Sequence, residues 1–312
     1  MPGQHCPLGF DARLRPRRLG RTLAQPVRFS AVPSSLGPAR PATYDGRMSE
    51  LRIGAHVDQT DPIAEAAARN APLVQFFLGN PQSYKGPVLA YDGGPAALRA
   101  AAEAAGVDLY VHAPYLINVA TTNNRQRIPS RKLLQQHMDA AAELGAKGLI
   151  VHGGHVTDED DPAKGFDNWR KAVEATDIKI PLLIENTAGG TNAMTRYLER
   201  IKGTWDAIAS AEGADMVGFC LDTCHAHAGG NALETIVDDV LAITGRIDLV
   251  HANDSRDAFD SGADRHANFG AGQIDPDLLA QVVRDAGAPV VCETPGGAEE
   301  HVADFAWLRE RL

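Results

Sequence analysis

The chain has 312 residues, 44% of them hydrophobic, enough for a sizeable core in one large domain. No apolar run approaches the roughly 20 residues of a membrane span. Four cysteines without a CxxC pair (Cys6, Cys220, Cys224, Cys292) rule out a disulfide framework and point to the cytoplasm. The formal net charge of −10 argues at first against a nucleic-acid partner.

That charge is unevenly placed. Residues 1–47 hold eight Arg, no Lys and only Asp11 and Asp45 as acids, a formal +6, which leaves −16 for the remainder. The segment is rich in Pro and Gly, shows no hydrophobic period, and reads as a disordered extension. It lacks the apolar core of a secretory signal, although its Arg-rich, acid-poor make-up is shared with transit peptides. Met48 as the natural start, or a dispensable arm, is the simpler expectation. One domain is predicted over 48–312.

From Arg52 onward, short apolar runs alternate with helical spacing. The runs are RIGAHV (52–57), LVQFFLG (73–79), LYVHAPY (109–115) and GLIVHGG (148–154). Then follow PLLIENT (181–187), MVGFCLD (216–222), IDLVHAND (247–254) and PVVCETP (289–295). Between them, segments such as 95–106, 130–145 and 232–245 carry Ala and Leu at helical spacing. Ser130 and Asp275 are placed as N-caps, and Gly106, Gly145 and Gly287 as C-caps. Strands separated by helices imply βαβ units and a parallel sheet. Eight units, with no GxGxxG after the first strand, predict an α/β fold, a (β/α)8 TIM barrel, over a doubly wound sheet.

Chemistry on such a barrel collects at the C-terminal strand ends. There the runs place His112, His152, Glu185, Asp222 with His225 beyond it, His251 and Glu293. The loop after the seventh strand adds Asp264 and His266. One buried imidazole or carboxylate is ordinarily a satisfied hydrogen-bond partner. Nine around one mouth are not, since each left unpaired costs several kcal/mol. Five His and four carboxylates suit Zn2+ or Mn2+. Nine ligands exceed what one ion takes and fit three ions with a bridging carboxylate. Three divalent ions against four carboxylates leave a positive site for an anion such as phosphate.

Other candidates weigh less. His137 and His301 are expected on solvated helix surfaces. His56, His155 and His227 lie near strand ends, as supporting or DNA-facing groups. Cys220 and Cys292 read as small core residues, and Cys224 as a neighbour of the metals without ligating them.

The chain resembles the endonuclease IV family of zinc-dependent apurinic/apyrimidinic endonucleases. The motifs are HAPYLIN (112–118), HGGH (152–155), IENTAGG (184–190), CLDTCHAHAGG (220–230), HANDSRDAFDSGADRHANFGAG (251–272) and CET (292–294). They run in the family's order from about Arg52 to the C-terminus; the first 47 residues have no counterpart. The resemblance implies three zinc ions per chain, with Mn2+ also fitting one site. The first is held by His112 and His152, with Glu185 bridging to the second, which adds Asp222, His251 and Glu293. The third takes His225, Asp264 and His266. It further implies hydroxide attack on the phosphorus 5′ to an abasic sugar in duplex DNA, giving a 3′-hydroxyl and a 5′-deoxyribose phosphate. A flipped-out nucleotide, loop side chains filling the gap, and a monomer are implied too.

Tyr115 and Leu116 fit the family's wedge into the DNA stack. In GNPQSYKG (79–86), Gln82 stands where well-studied members insert an arginine, with Tyr84 or Lys85 as substitutes. Arg125, Arg127, Arg131 and Lys132 form a local basic patch suited to phosphate contacts, which reconciles DNA binding with an acidic chain. Two other readings compete: a metal-dependent sugar isomerase or epimerase on a similar barrel, and a non-catalytic DNA-binding protein. The extra ligands of Asp264–Arg265–His266 count against the first, and the complete set of nine against the second.

Overall fold

The structure is a computed structural model and describes residues 51–312. The predicted extension over 1–47 and the domain start at Met48 lie outside the described residues. The barrel strands are β1 (Ile53–His56), β2 (Leu73–Phe77), β3 (Asp108–His112), β4 (Gly148–His152), β5 (Leu182–Glu185), β6 (Val217–Asp222), β7 (Leu249–His251) and β10 (Val290–Cys292). They close into one parallel barrel in the order β1-β10-β7-β6-β5-β4-β3-β2, as the eight-unit reading requires. Two short strands, β8 (Asp254–Ser255) and β9 (His266–Ala267), pair antiparallel in the connection after β7.

Around the barrel lie α1 (Pro62–Arg69), α2 (Gly94–Ala105), α3 (Asn124–Glu143), α4 (Pro162–Ala175), α5 (Leu198–Ile208), α7 (Ile236–Thr244), α8 (Pro276–Ala286) and α9 (Ala298–Arg309). A six-residue helix, α6 (Thr223–Ala228), follows β6 directly. Three helices begin at an Asp-Pro pair: Asp61, Asp161 and Asp275 each accept a backbone N–H of the first turn, and the proline occupies the position whose N–H has no helical partner. Gly106 and Gly287 close α2 and α8 in the left-handed conformation, as expected. Among the described residues no helix is long and apolar enough to cross a membrane.

Two boundaries differ from expectation. Helix α3 starts at Asn124, capped by Asn123, six residues before the predicted cap. Ser130 is buried inside the helix behind Pro129, and its hydroxyl accepts the Asn118 N–H at 3.0 Å, tying the loop after β3 to the helix. Residues 232–235 are not helical, and α7 begins at Ile236.

The core has two compartments. The larger lies between the outer faces of the strands and the helices and includes Phe76, Leu134, Trp169, Phe219 and Phe305. The smaller is a layer inside the barrel: Leu73, Tyr110, Ile150, Leu183, Cys220, Leu249 and Val291, one from each strand except β1. Strand side chains alternate faces with period two. Two residues beyond this layer, the same inward face therefore carries Gln75, His112, His152, Glu185, Asp222, His251 and Glu293. The apolar layer seals the barrel from below, and the polar layer sits at its C-terminal mouth.

Candidate metal centre

Glu185 ends β5 at the middle of the mouth and is fully buried. Its Oε2 lies 3.1 Å from His112 Nε2 and 3.3 Å from His152 Nε2. Its Oε1 lies 3.0 Å from His251 Nδ1 and 3.3 Å from His225 Nδ1. The two oxygens thus serve different clusters. Potential ligand atoms gather within 4.8 Å of one another in His112/His152/Glu185, in Glu185/Asp222/His251/Glu293 and in Asp222/His225/His266. Glu185 is common to the first two and Asp222 to the last two. Asp264 Oδ1 completes the third at 3.1 Å from both His225 Nε2 and His266 Nε2. All nine predicted residues are therefore brought together.

The chain organises these groups before any ligand arrives. Asp222 caps α6, with Oδ1 accepting the His225 N–H at 2.6 Å, so that helix start sets the separation of Asp222 from His225. Asn186 clasps the Asp222 backbone, accepting its N–H at 2.7 Å and donating to its carbonyl at 2.9 Å. Asn253 donates to Asp222 Oδ2 at 2.7 Å and accepts the Glu293 N–H at 2.8 Å. Thr195 donates to the Glu185 carbonyl at 2.7 Å, and a Cβ at Gly153 would lie 2.1 Å from the same hydroxyl, so glycine is required beside His152.

The electrostatics fit cations. Burial opposes the charge on Glu185, yet His251 and His152 hold its carboxyl well below the usual range. Burial raises Asp222, despite His225 and His266 beside it. Burial works against protonated His266, but Asp264 and Asp222 bring it up to about 9; His225 and His251 are likewise raised well above their ordinary value by neighbouring acidic groups. Protons here stand where positive charge is wanted. The Nε2 atoms of His225 and His266 are buried and lie 3.1 Å from Asp264 Oδ1 without a well-aligned hydrogen bond to it. Orphaned imidazole nitrogens facing a carboxylate are the donor set of a divalent metal.

Cys224 lies near Asp264 and His266, and burial pushes its thiol up to about 12. Cys220 and Cys292 are buried core residues, as expected. His56 stands 3.4 Å from Glu293 Oε1, His155 is held by Asn118, and His227 faces the Asp257 carbonyl. His137 and His301 are corrections: both are buried, at 1% and 3% exposure. His137 lies on the inner stripe Leu133, Leu134, His137, Met138, Ala141 of α3, and His301 accepts from Arg69 and faces the Thr294 carbonyl. Helical spacing marks both as inward-facing.

The rim carries the predicted nucleic-acid residues. Tyr115 is half exposed and stacks edge-on against Phe77 and His112, beside His152. The Tyr84 hydroxyl donates to the Leu116 carbonyl at 3.1 Å, joining the loop after β2 to the loop after β3. Gln82 and Lys85 are exposed on that first loop. Of the basic patch, Arg127 donates to the Thr121 carbonyl and Arg131 to the Asn168 carbonyl, so both are tethers as well as charges, while Arg125 and Lys132 are exposed. A cavity of about 230 Å³ opens beside the centre, lined by His56, Phe77, Tyr115, His266 and Glu293. A larger one, about 570 Å³, lies near Asn70, Pro72 and Gly106 at the opposite end of the barrel.

Two residue groups escaped the sequence analysis. Gln75 shares the inward parity of the ligands and touches three site residues. Arg196 reaches Asp260 at 2.8 Å and the Gly229 carbonyl at 3.2 Å, fastening the loop that carries Asp264.

A parallel barrel with linked His/carboxylate clusters at its mouth defines a metal-site TIM barrel, and a family model described as a xylose isomerase-like TIM barrel matches residues 63–311. The sequence is 56% identical over 261 residues to the probable endonuclease 4 of Mycobacterium tuberculosis, covering 84% of this chain and 99% of the relative. It is 53% identical to that of Mycobacterium leprae with the same coverage. Endonuclease IV of Thermus thermophilus superposes with a TM-score of 0.71 at 28% identity, over 83% of this chain and 99% of that one. A D-tagatose 3-epimerase-like protein, TM-score 0.68 at 20% identity over 84% of this chain and 97% of that one, shares the fold. The chain belongs to the endonuclease IV family.

Proposed function

We propose that the chain hydrolyses the phosphodiester bond 5′ to abasic sites in duplex DNA at a three-zinc centre, leaving a 3′-hydroxyl and a 5′-deoxyribose phosphate. The observation that carries this reading is the sharing of carboxylates: Glu185 turns one oxygen to each of two clusters, and Asp222 belongs to the second and third. A sugar isomerase or epimerase, which needs one or two metals, has no use for three linked clusters. The names of the mycobacterial relatives and of the Thermus structure support the same activity.

His112, His152 and Glu185 would hold the first ion. Glu185, Asp222, His251 and Glu293 would hold the second, and His225, Asp264 and His266 the third, with Mn2+ also fitting one site. Bound zinc supplies Lewis acidity, activating water at neutral pH and stabilising the leaving oxygen. The protein's own groups supply position. Asn186, Asn253 and Thr195 immobilise the ligands, so no reorganisation is needed during reaction. Tyr115 and Leu116 present apolar surface next to the first cluster, suited to filling the gap left by an extruded nucleotide. Tyr84 borders the same wedge through the Leu116 carbonyl, and Gln82, exposed on the same loop, would contact the DNA beside it. Arg125 and Arg127 would contact the backbone phosphates, giving a basic contact on an acidic protein. The buried, unpaired Cys220, Cys224 and Cys292 suit the cytoplasm, where the chain would act as a monomer.

The test is cleavage of a duplex holding one abasic analogue, with metal content measured in parallel. Expected are about three divalent ions per chain, cleavage 5′ to the lesion, primer ends that a polymerase extends, and loss of cutting after chelation. About one ion per chain with no cleavage would overturn the reading.

A further inference from the structure

His251 offers a different nitrogen from the other histidines whose ring contacts are defined. His112, His225 and His266 each turn Nδ1 to a backbone carbonyl: Ala113 at 2.7 Å, Asn186 at 2.9 Å and Glu293 at 3.2 Å. Their Nε2 atoms face the centre, and of the three only His225 also has Nδ1 near Glu185 Oε1, at 3.3 Å, beyond its closer carbonyl contact. His251 is reversed: Nδ1 faces Glu185 Oε1 at 3.0 Å and Glu293 Oε2 at 3.4 Å, and Nε2 lies 2.8 Å from Oε1 of Gln75.

Gln75 is fully buried on β2, two residues past the apolar layer. Its Nε2 donates to Glu293 Oε1 at 2.6 Å and approaches His56 Nδ1 at 3.1 Å. An amide oxygen can only accept, so its contact with His251 requires a proton on Nε2, and when the ring gives up its second proton to bind a metal the lone pair is on Nδ1. Rotating the amide by half a turn would set its oxygen against the Glu293 carboxylate, two acceptors without a proton between them. The carboxylate therefore fixes the amide, and the amide fixes the imidazole tautomer. The same NH2 group occupies Glu293 Oε1, leaving Oε2 on the side of His251.

We propose that Gln75 is the positioning residue of the second cluster: it selects the Nδ1-ligating form of His251 and the Oε2-ligating form of Glu293. This rests on the reading that Glu185, Asp222, His251 and Glu293 hold a divalent ion. An amide in place of the usual backbone carbonyl serves two ligands at once, which a carbonyl, lacking donors, cannot do.

The test has two arms. In the zinc-loaded protein with 15N-labelled histidine, long-range nitrogen–proton correlation should show His251 metallated at Nδ1 with Nε2 protonated, and His112, His225 and His266 metallated at Nε2. Metallation of His251 at Nε2 overturns the proposal without any variant. In chelator competition, Gln75→Leu should release one ion with affinity weakened roughly 10–100-fold while the other ions are retained. Gln75→Glu should also weaken that ion, because it sets a carboxylate against Glu293. Melting of the metal-free variants reports their folding. Wild-type retention by both variants overturns the role of Gln75 alone, whereas a native protein that binds no divalent ion overturns the underlying reading of the centre.

Discussion

Burial by itself would push the Glu185 carboxyl up, so its ionised state depends on the imidazoles around it. Glu185→Gln keeps the size of the side chain but removes the charge and offers one oxygen instead of two. With the contribution of a bridged metal pair worth several kcal/mol, cleavage should fall about 100-fold or more. Steady-state kinetics on an abasic duplex, with metal content assayed alongside, checks this, and near-native turnover would refute the bridging role. His137 makes a contrasting case. Its ring nitrogens are buried without partners, and burial pushes its pKa from 6.5 down to about 4. The unfolded chain binds this proton as pH falls below about 6.5, and the folded chain does so only near 4. Stability from this group is therefore complete above 6.5 and is lost as pH falls between those values, by a few kcal/mol at most. His137→Phe should flatten this part of the stability-versus-pH curve, measured by denaturant unfolding between pH 4 and 7. An unchanged slope would show that the acid sensitivity lies elsewhere.

At the level of elements, strand ends were more legible than loops. An apolar run ending in His, Glu or Asp marks both a barrel strand and a ligand, because burial on both faces leaves polar residues only at the mouth. The same period of two points inward at Gln75 in LVQFF, a residue that no motif marks because it lies before the strand end. Helix α3 was less legible: a proline at 129 resembles a boundary, yet five residues precede it within the helix, which continues past the hydrogen bond that the proline removes. The anchoring of the 257–264 loop was invisible, since Arg196 and Asp260 lie 64 residues apart. That loop also has the Gly262 N–H on the Ala228 carbonyl at 2.8 Å and the Arg265–Asp257 ion pair. Arg196→Ala should leave the first two clusters intact and speed chelator release of the ion at Asp264 about tenfold; equal release of all ions would contradict the anchor. On the opposite rim, Tyr115→Ala removes a ring that touches no candidate ligand by hydrogen bond. Affinity for an abasic duplex should weaken about 5- to 100-fold, as for the loss of one stacking side chain, with metal content unchanged. Fluorescence anisotropy would measure it, and undiminished affinity would remove Tyr115 from the DNA interface.

Over the whole molecule, the barrel joins metal loading to stability. Every barrel strand except β1 and β2 ends in or next to one of the nine ligands, so the centre laces together six of the eight strands. Stripped of cations, the buried Glu185 and Asp222 and the half-buried Glu293 are carboxylates within a single cluster, and the raised histidines must keep protons to balance them. Metal binding releases those protons and replaces them with charge fixed by geometry. An ion that binds only the folded chain, at a thousand times its dissociation constant, stabilises it by about 4 kcal/mol. For a domain of this size, 1 kcal/mol moves the melting temperature by about 2–4 °C. Chelation should therefore lower the melting temperature by roughly 10 °C for each ion removed, and added zinc should restore it. Asp264→Asn, which alters only the third cluster, should lose a part of that increment and leave the remainder sensitive to chelator. Melting temperatures that stay constant while the ions are shown to be gone would mean that the hydrogen bonds of Asn186, Asn253 and Gln75 hold the mouth closed without metal.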